Sequence, residues 1–250
     1  NKEIALFFFD LGIPTYDCYG LTETAPAVTM NCPGAWKIGS VGKVLAGQKV
    51  VIDQSIVEEG AADGEIVVYG PNVMKGYHNK PEATAEAMTP DGGFRTGDRG
   101  KFDEEGFLWI TGRTKEQYKL SNGKYVFPAV IEEEIKLIPY VANATIYGDG
   151  KPFNVCIVIP DFEVAARWAD KNGVSGNPRD LLANKTFTDM IENEITEHLR
   201  KDFGGYEIPK RFMFLKEDFS VENGMLTQTM KLKRPVVIKN YQNEIEAMYG

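Results

Sequence analysis

The chain of 250 residues is 43% hydrophobic and 26% charged, the composition of a globular protein that can bury a sizeable core. Its formal net charge of -8 argues against a general nucleic-acid binder, which needs a basic surface. Three scattered cysteines, Cys18, Cys32 and Cys156, favour a reducing cytoplasm over a disulfide framework. The two histidines, His78 and His198, lack zinc-site spacing, and no apolar run is long enough to span a membrane. Nucleophile-elbow, P-loop and dinucleotide-binding glycine motifs are also absent from the sequence.

In the first part of the chain, short β-branched runs alternate with glycine-rich turns, a pattern typical of a small antiparallel sheet or barrel. Residues 4–11 are expected to be the last part of an apolar helix. Residues 81–88 are expected to form a short helix that begins on Pro81. Strands are predicted at residues 15–19, 49–53, 65–69, 99–102 and 107–111. Turns are predicted at residues 58–63 and 91–93, and a loop at residues 94–98.

The composition changes after Gly112, where residues 115–119 are charged and carry few apolar side chains, as a linker does. An Asn-Gly turn then joins strands at residues 118–120 and 124–127, and Pro128 opens a helix. Further helices are predicted at residues 161–171, 187–203 and 235–248, and further strands at residues 145–147, 155–159 and 211–215.

These elements predict a mixed, α+β fold with two domains. Residues 1–112 are expected to form a β-rich, barrel-like subdomain that ends a larger domain. Residues 113–250 are expected to form a small α+β lid domain.

Four short motifs follow one another along the chain. The first is Tyr19-Gly20-Leu21-Thr22-Glu23, and the second is Phe-Arg-Thr-Gly-Asp at residues 94–98. Gly-Arg-Thr-Lys follows at residues 112–115, and Thr-Gln-Thr-Met-Lys ends on Lys231. Their residues and order resemble the adenylate-forming enzymes, which include acyl-CoA synthetases, firefly luciferase-like enzymes and peptide-synthetase adenylation domains. The resemblance implies ATP and Mg²⁺ as cofactors and coenzyme A as a co-substrate.

Activation of a carboxylate with ATP requires a hold on the adenine, the ribose and the phosphates. By resemblance, Tyr19 stacks on the purine and Asp17 accepts a hydrogen bond from its exocyclic amine. Gly20 and Thr22 belong to the same nucleotide-binding segment, and the Thr22 hydroxyl can bond a phosphate. Glu23 is a hard oxygen ligand suited to Mg²⁺. By resemblance, Thr22 and Glu23 are expected to be catalytic. Taken alone, the segment is equally compatible with a surface turn around a buried tyrosine.

Asp98 and Arg113 are the candidates for binding the ribose. The Asp98 carboxylate can accept from both ribose hydroxyls, and the Arg113 guanidinium can donate to the same sugar. The alternative is a structural ion pair between the two residues, which the order and spacing of the motifs disfavour.

Lys231 is the candidate catalytic lysine. In the family, the lysine of this segment bridges the carboxylate and the α-phosphate during adenylation. Met230 stands here where the family usually has glycine, a variant that resembles long-chain acyl-CoA synthetases. The alternative is a solvated basic patch, because Lys231, Lys233 and Arg234 look the same by charge alone.

The resemblance also assigns positions that act in domain movement and thiol transfer. Lys115 matches the hinge about which the small domain turns between an adenylating and a thioester-forming pose. Asn122 and Gly123 match the loop that lines the path of the pantetheine arm of coenzyme A, and they also form a plain type I′ hairpin turn.

Together these features predict the C-terminal part of an ATP-dependent acid–CoA ligase acting on long-chain fatty acids. The alternatives are an aryl or medium-chain acid ligase, an adenylation enzyme that loads a carrier protein, and a non-catalytic paralogue. The loop that cradles the β- and γ-phosphates in the family lies upstream of the first motif and is missing. We therefore expect an engineered or proteolytic fragment, inactive without its N-terminal part, from a cytoplasmic enzyme with peripheral association at the inner membrane face as a further option.

Overall fold

The computed structural model describes residues 2–55, 57, 61–114 and 116–250. They form two compact units, residues 1–116 and residues 117–250, each with helices and strands. The mixed α/β character expected from the sequence is therefore confirmed. The predicted turn at residues 58–63 begins outside the described residues.

Unit 1, residues 1–116, contains two helices and seven strands among its described residues. The helices are α1 (Lys2–Asp10) and α2 (Pro81–Ala87), and Pro81 stands at the start of α2 as predicted. The strands are β1 (Cys18–Gly20), β2 (Ala27–Met30), β3 (Lys43–Val44), β4 (Lys49–Asp53), β5 (Gly64–Tyr69), β6 (Phe94–Phe102) and β7 (Leu108–Arg113).

The strands of unit 1 form two antiparallel sheets, with orders β1-β2-β3 and β4-β5-β6-β7. Val28, Ile66, Val68 and Leu108 are buried together from both sheets and make the core of the unit. Among the described residues neither sheet closes on itself, so the expected barrel-like closure is not met. Short-range alternation predicts individual strands, but closure depends on strand pairing between distant residues.

Residues 94–98 are not the predicted loop, because they form the first half of β6. Phe94 and Arg95 pair with Val68 and Val67 of β5, and Asp98 pairs with Arg113 of β7. The segment contains Gly97 at a φ of 73°, a conformation that favours glycine and suggests a loop in the sequence. Strand pairing on both sides outweighs this local signal.

Unit 2, residues 117–250, contains five helices and five strands. The helices are α3 (Pro128–Ile135), α4 (Phe162–Lys171), α5 (Lys185–Leu199), α6 (Arg234–Asn240) and α7 (Gln242–Ala247). The strands are β8 (Tyr118–Lys119), β9 (Tyr125–Val126), β10 (Val141–Tyr147), β11 (Val155–Pro160) and β12 (Arg211–Phe214).

The centre of unit 2 is the sheet β10-β11-β12, in which β10 is antiparallel and β12 parallel to β11. The central strand β11 is buried on both faces. Its residues Cys156 and Val158 pack in one cluster with apolar residues of α3, α4 and α5. Its residues Val155 and Ile157 pack in another with Val237 of α6 and residues of α7. Alternation along the strand thus gives the unit a helical layer on each face.

Most helices of unit 2 lie where the sequence predicts them. Asp161 caps α4, accepting from the backbone N–H groups of Glu163 and Val164 at 2.9 and 3.0 Å. The last predicted helix, residues 235–248, is instead divided into α6 and α7 by Tyr241, whose φ of -113° and ψ of 24° are not helical. No glycine or proline marks this break in the sequence. Among the described residues, no helix has both the length and the apolar character to cross a bilayer.

Candidate nucleotide site

The turn after β1 carries the first motif, and two residues fix its shape. Gly20 has no room for a side chain, since an added Cβ would lie 1.8 Å from the backbone oxygen of Pro26. Thr24 is fully buried, and its hydroxyl donates to the Pro26 oxygen at 2.7 Å and accepts from the Leu21 N–H at 3.0 Å. This tight turn leaves Thr22 exposed to solvent.

Glu23, the next residue of the turn, is held by the segment that precedes α2. The Tyr77 hydroxyl donates to Glu23 Oε1 at 2.9 Å, and the Met74 N–H donates to the Glu23 backbone oxygen at 2.8 Å. Burial, with the Glu23 carboxylate adding to the effect, raises the pKa of Tyr77 above its ordinary value. Tyr77 therefore remains a protonated donor at neutral pH.

Asp98 lies at the junction of β1, β6 and β7 and is contacted by two other predicted site residues. The Tyr19 hydroxyl donates to Asp98 Oδ2 at 2.7 Å, and Arg113 Nε lies 3.0 Å from Asp98 Oδ1. The Asp98 side chain is 8% exposed, whereas that of Arg113 is 55% exposed. Burial, and then the Asp98 carboxylate, raises the pKa of Tyr19 far above its ordinary value, so the phenol stays protonated.

Strand β6 is also anchored to β5 beside Asp98. The Thr96 hydroxyl donates to the Ile66 backbone oxygen at 2.7 Å and accepts from the Asp98 N–H at 3.1 Å. Glu65 accepts from the Gly97 N–H at 3.1 Å and from the Arg95 guanidinium at 2.6 Å. These contacts fix the backbone that carries the Asp98 carboxylate.

Unit 1 contains a cleft of about 500 Å³. Three predicted site residues, Glu23, Asp98 and Arg113, line it, together with Tyr77. The other charged residues of its walls are Glu65, Glu86, Arg95 and Glu116. A cleft of this size, with carboxylates and an exposed guanidinium at its wall, can accept hydrogen bonds from a sugar and donate them to an anion.

The remaining predicted residues of unit 1 are not among those that line this cleft. Tyr19 is half-buried, and its ring packs against the core while its hydroxyl reaches Asp98. Asp17 is exposed just before β1, where its backbone oxygen accepts from the Asn31 N–H at 2.9 Å. The predicted hinge residue Lys115 lies outside the described residues.

In unit 2, Asn122 and Gly123 form the predicted turn between β8 and β9, but its type differs from the prediction. Gly123 has a φ of 87°, whereas Asn122 does not have the positive φ that a type I′ turn requires. The Gly123 N–H donates to the Leu120 oxygen and the Leu120 N–H to the Lys124 oxygen, each at 2.9 Å. This pattern is a type I turn followed by a left-handed glycine, which needs one positive φ instead of two.

Lys231 ends an exposed loop that folds back on itself. The Thr227 N–H donates to the Lys231 oxygen at 2.8 Å, and the Lys231 N–H donates to the Thr227 hydroxyl at 3.0 Å. Met230, where the family usually has glycine, has a φ of 61° and is 68% exposed. The Lys231 side chain has no hydrogen-bond or ion-pair partner within the described parts of the chain.

Arg234 does not belong to a solvated basic patch, unlike the exposed Lys231 and Lys233. Its guanidinium pairs with the buried Glu132 of α3, with Nη2 2.7 Å from Oε2, and donates to the Thr145 hydroxyl at 2.8 Å. Glu132 also accepts from the Ile146 N–H at 2.8 Å. This buried network ties the end of the Lys231 loop to α3 and β10.

The sequence alone indicates no role for Tyr77 or Glu132. Tyr77 lies in a Gly-Tyr pair before α2 and has no periodic or motif signal of its own. Glu132 lies beside the buried face of α3 and looks like an ordinary exposed helix residue in the sequence. The role of each depends on a distant partner. Tyr77 contacts Glu23, 54 residues away, and Glu132 contacts Arg234, 102 residues away.

Comparisons with known proteins cover both units. Residues 1–78 match the profile of the AMP-binding enzyme family, and residues 115–250 match that of the AMP-binding enzyme C-terminal domain. The chain is 39% identical over 246 residues to long-chain-fatty-acid–CoA ligase 6 of Homo sapiens, covering 96% of this chain. It spans 35% of the length of that relative.

Two solved structures give the same picture. The A-PCP didomain of carboxylic acid reductase from Segniliparus rugosus, in complex with AMP, has the same fold, with a TM-score of 0.77 and 23% identity. That match covers 100% of this chain and 33% of the other. The o-succinylbenzoate coenzyme A synthetase of Bacillus subtilis, in complex with ATP and magnesium ion, has a TM-score of 0.67 and 26% identity, covering 93% of this chain and 43% of the other.

The family profiles together extend over most of the chain, and the profile of the C-terminal domain alone covers more than half of it. The chain therefore belongs to the AMP-binding, adenylate-forming enzyme superfamily.

Proposed function

We propose that the chain is part of an acid–CoA ligase that acts on long-chain fatty acids. The enzyme forms an acyl-adenylate from the acid and ATP with release of pyrophosphate. It then transfers the acyl group to the thiol of coenzyme A, releasing AMP. The observation that carries the proposal is the meeting of three separate motifs. Tyr19 and Arg113 both contact Asp98, and Glu23, Asp98 and Arg113 line one cleft.

In this proposal, the cleft of unit 1 binds the nucleotide. Asp98 accepts from the ribose hydroxyls, since each carboxylate oxygen can accept a second hydrogen bond besides those from Tyr19 and Arg113. Arg113 donates to the same sugar with its exposed guanidinium. Asp17 and the Tyr19 ring hold the adenine, and the Thr22 hydroxyl donates to a phosphate.

Glu23 fits the role of a magnesium ligand. Mg²⁺ favours one or two carboxylates together with phosphate oxygens, and the Glu23 carboxylate lines the cleft. When bound, Mg²⁺ neutralises charge on the phosphates. Support for a magnesium-dependent reaction also comes from the Bacillus subtilis synthetase, which has 26% identity and a structure with ATP and magnesium ion.

Lys231 is proposed to act in the first half-reaction only. Its ammonium stabilises the negative charge that develops between the acid carboxylate and the α-phosphate. Its exposure at the end of a loop suits a group that contacts the substrates only when unit 2 delivers it. We propose Lys115 as the hinge for this delivery, and Asn122 and Gly123 as the lining of the path for the pantetheine arm.

Long-chain fatty acids are proposed as the acid because of the 39% identity to the human long-chain ligase. The Met-Lys-Leu-Lys-Arg segment ending on Arg234 resembles the same branch of the family.

The test uses the intact protein that contains this chain. Pyrophosphate release and acyl-CoA formation are measured with palmitate, octanoate and benzoate in parallel. We expect palmitate to support both, and Asp98→Ala to abolish both. Faster turnover of octanoate or benzoate would replace the long-chain assignment by the alternative acids. Pyrophosphate release without acyl-CoA would favour a carrier-loading enzyme, and neither product with any acid would favour a non-catalytic paralogue.

A further inference from the structure

Tyr77 and Glu23 come from distant parts of unit 1 and meet at the cleft. The Tyr77 hydroxyl lies 2.9 Å from Glu23 Oε1, and both side chains line the cleft. Tyr77 belongs to none of the four motifs. The hydrogen bond occupies one oxygen of the Glu23 carboxylate and leaves the second oxygen for another partner.

The backbone of Tyr77 is itself fixed by α2. The Tyr77 N–H donates to the Thr84 hydroxyl at 2.9 Å. The preceding Gly76 has a φ of 147°, and a Cβ there would lie 2.7 Å from Thr84 Cγ2. Only glycine therefore lets the chain approach the helix so closely, and this contact with α2 fixes the backbone that carries the phenol.

The segment before α2 also forms hydrogen bonds to the turn that carries Glu23. Besides the Tyr77 hydroxyl, the Met74 N–H donates to the Glu23 backbone oxygen at 2.8 Å. The Asn72 side-chain amide donates to the Thr24 backbone oxygen at 2.7 Å. The main chain and the carboxylate of Glu23 are thus held from the same side by residues 72–77.

Carboxylates that bind metal ions are commonly oriented by hydrogen bonds from neighbouring groups, and loss of such a partner lowers metal affinity. We propose that Tyr77 is a positioning residue, which fixes the Glu23 carboxylate so that its second oxygen faces the metal ion bound with ATP. The inference rests on the proposed function, in which Glu23 is the magnesium ligand. It extends that function by assigning the residue that sets the orientation of the ligand.

The test measures metal binding instead of turnover. Mn²⁺, which also favours carboxylate oxygens, is titrated into the intact protein with a non-hydrolysable ATP analogue, and free Mn²⁺ is followed by electron paramagnetic resonance. We expect Tyr77→Phe to weaken Mn²⁺ binding by about 10-fold. AMP binding in the absence of metal is expected to stay within about twofold of wild type, because the phenylalanine ring preserves the wall of the cleft.

Tyr69→Phe is the matched control. It removes the same hydroxyl from a tyrosine that donates to a carboxylate, Asp91, at 3.1 Å, but neither Tyr69 nor Asp91 lines the cleft. We expect wild-type Mn²⁺ binding in this variant. If Tyr77→Phe fails to fold, Thr84→Val is used instead, because it loosens the Tyr77 backbone while keeping both partners of the hydrogen bond. It is expected to weaken Mn²⁺ binding in the same direction.

Glu23→Gln distinguishes the magnesium role of Glu23 from the positioning role of Tyr77. If Glu23→Gln weakens Mn²⁺ binding while Tyr77→Phe, or Thr84→Val in its place, binds like wild type, the positioning role is refuted and the magnesium role of Glu23 stands. If Glu23→Gln binds Mn²⁺ like wild type, the magnesium role fails and the inference fails with it. A Tyr77→Phe protein that loses AMP and Mn²⁺ affinity to the same degree has a disturbed cleft, which would also overturn the positioning role.

Discussion

Tyr19 and Asp98, 79 residues apart in the sequence, are joined by a hydrogen bond of 2.7 Å. The bond links the middle of β1 to the middle of β6 and thereby joins the two sheets of unit 1. Because Asp98 is buried, its carboxylate depends on Tyr19 and Arg113 to replace the water it has lost.

Tyr19→Phe should therefore destabilise unit 1. Loss of a hydrogen bond to a buried carboxylate costs about 1.5–3 kcal/mol in the free energy of unfolding. Urea denaturation is the measurement, with the transition of each unit fitted separately. Tyr16→Phe, in an exposed tyrosine three residues away, is the control and should change the free energy by less than about 0.5 kcal/mol. Equal effects of the two substitutions would show that the Tyr19–Asp98 bond adds no stability.

Arg234→Leu should be strongly destabilising in unit 2. It leaves Glu132 as a buried carboxylate without its cation, and breaking a buried ion pair costs about 3–5 kcal/mol. Arg200→Leu is the matched control, since Arg200 pairs with Glu197 on the surface and is 61% exposed. Such a pair contributes about 0–1 kcal/mol. A loss for Arg234→Leu no larger than that of the control would contradict the anchoring role of Arg234.

Met230→Gly should stabilise the Lys231 loop. A left-handed conformation destabilises a residue with a side chain by about 1–2 kcal/mol, and Met230→Gly removes this strain. Glycine also loses more conformational entropy on folding, which reduces the gain in stability by about 0.5–1 kcal/mol. We expect a net gain of about 0.5–1 kcal/mol in the free energy of unfolding of unit 2. Thr229→Gly, at a neighbouring position without a positive φ, should instead be destabilising. A loss of stability in Met230→Gly would show that the backbone at this position is not strained.

The raised pKa of Tyr118 predicts that the free energy of unfolding of unit 2 decreases in alkaline solution. Burial raises its pKa well above the ordinary value, with the Glu132 carboxylate adding to the rise, and its hydroxyl donates to Asn154 at 2.6 Å. Above pH ~10 the unfolded tyrosine has lost its proton while the folded one keeps it, so folding stability falls as the pH rises. One such group contributes a slope of at most about 1.4 kcal/mol per pH unit.

Urea denaturation of unit 2 at several pH values above ~10 measures this slope. Tyr118→Phe removes the titrating group and should make the dependence on pH shallower by up to the contribution of one proton. An unchanged slope in Tyr118→Phe would show that Tyr118 titrates alike in the folded and unfolded states.

The sequence predicts those features whose cause is local. The cap of α4 by Asp161 and the apolar face of α3 with Ile131 and Ile135 follow from side chains within a few residues of each other. The motifs give the cleft residues Glu23, Asp98 and Arg113 by resemblance, because the family keeps them in order along the chain.

Features that depend on contacts between residues distant in the sequence cannot be predicted in this way. The continuation of β6 through residues 94–98 depends on pairing with β5, and the open sheets depend on which strands meet. The roles of Tyr77 and Glu132 come from partners more than 50 residues away, which neither periodicity nor turn residues encode. The break at Tyr241 lacks the glycine or proline that usually ends a helix in a sequence.

In the proposed function, the protein forms an acyl-adenylate with the help of Lys231. The most direct measurement compares the two half-reactions in the intact protein: pyrophosphate release from ATP and the acid, and conversion of supplied acyl-adenylate to acyl-CoA. Lys233→Ala, two residues away and also exposed, is the control. Lys115→Pro, at the proposed hinge, should show the opposite pattern, with adenylation kept and thioester formation slowed.

For Lys231→Ala, we expect pyrophosphate release to fall by about a hundredfold or more, because a donor to the developing charge is lost. Conversion of supplied acyl-adenylate should stay near the wild-type rate, since the proposal gives the lysine no part in thioester formation. Equal slowing of both half-reactions by Lys231→Ala would refute a role in adenylation and make the lysine a structural residue.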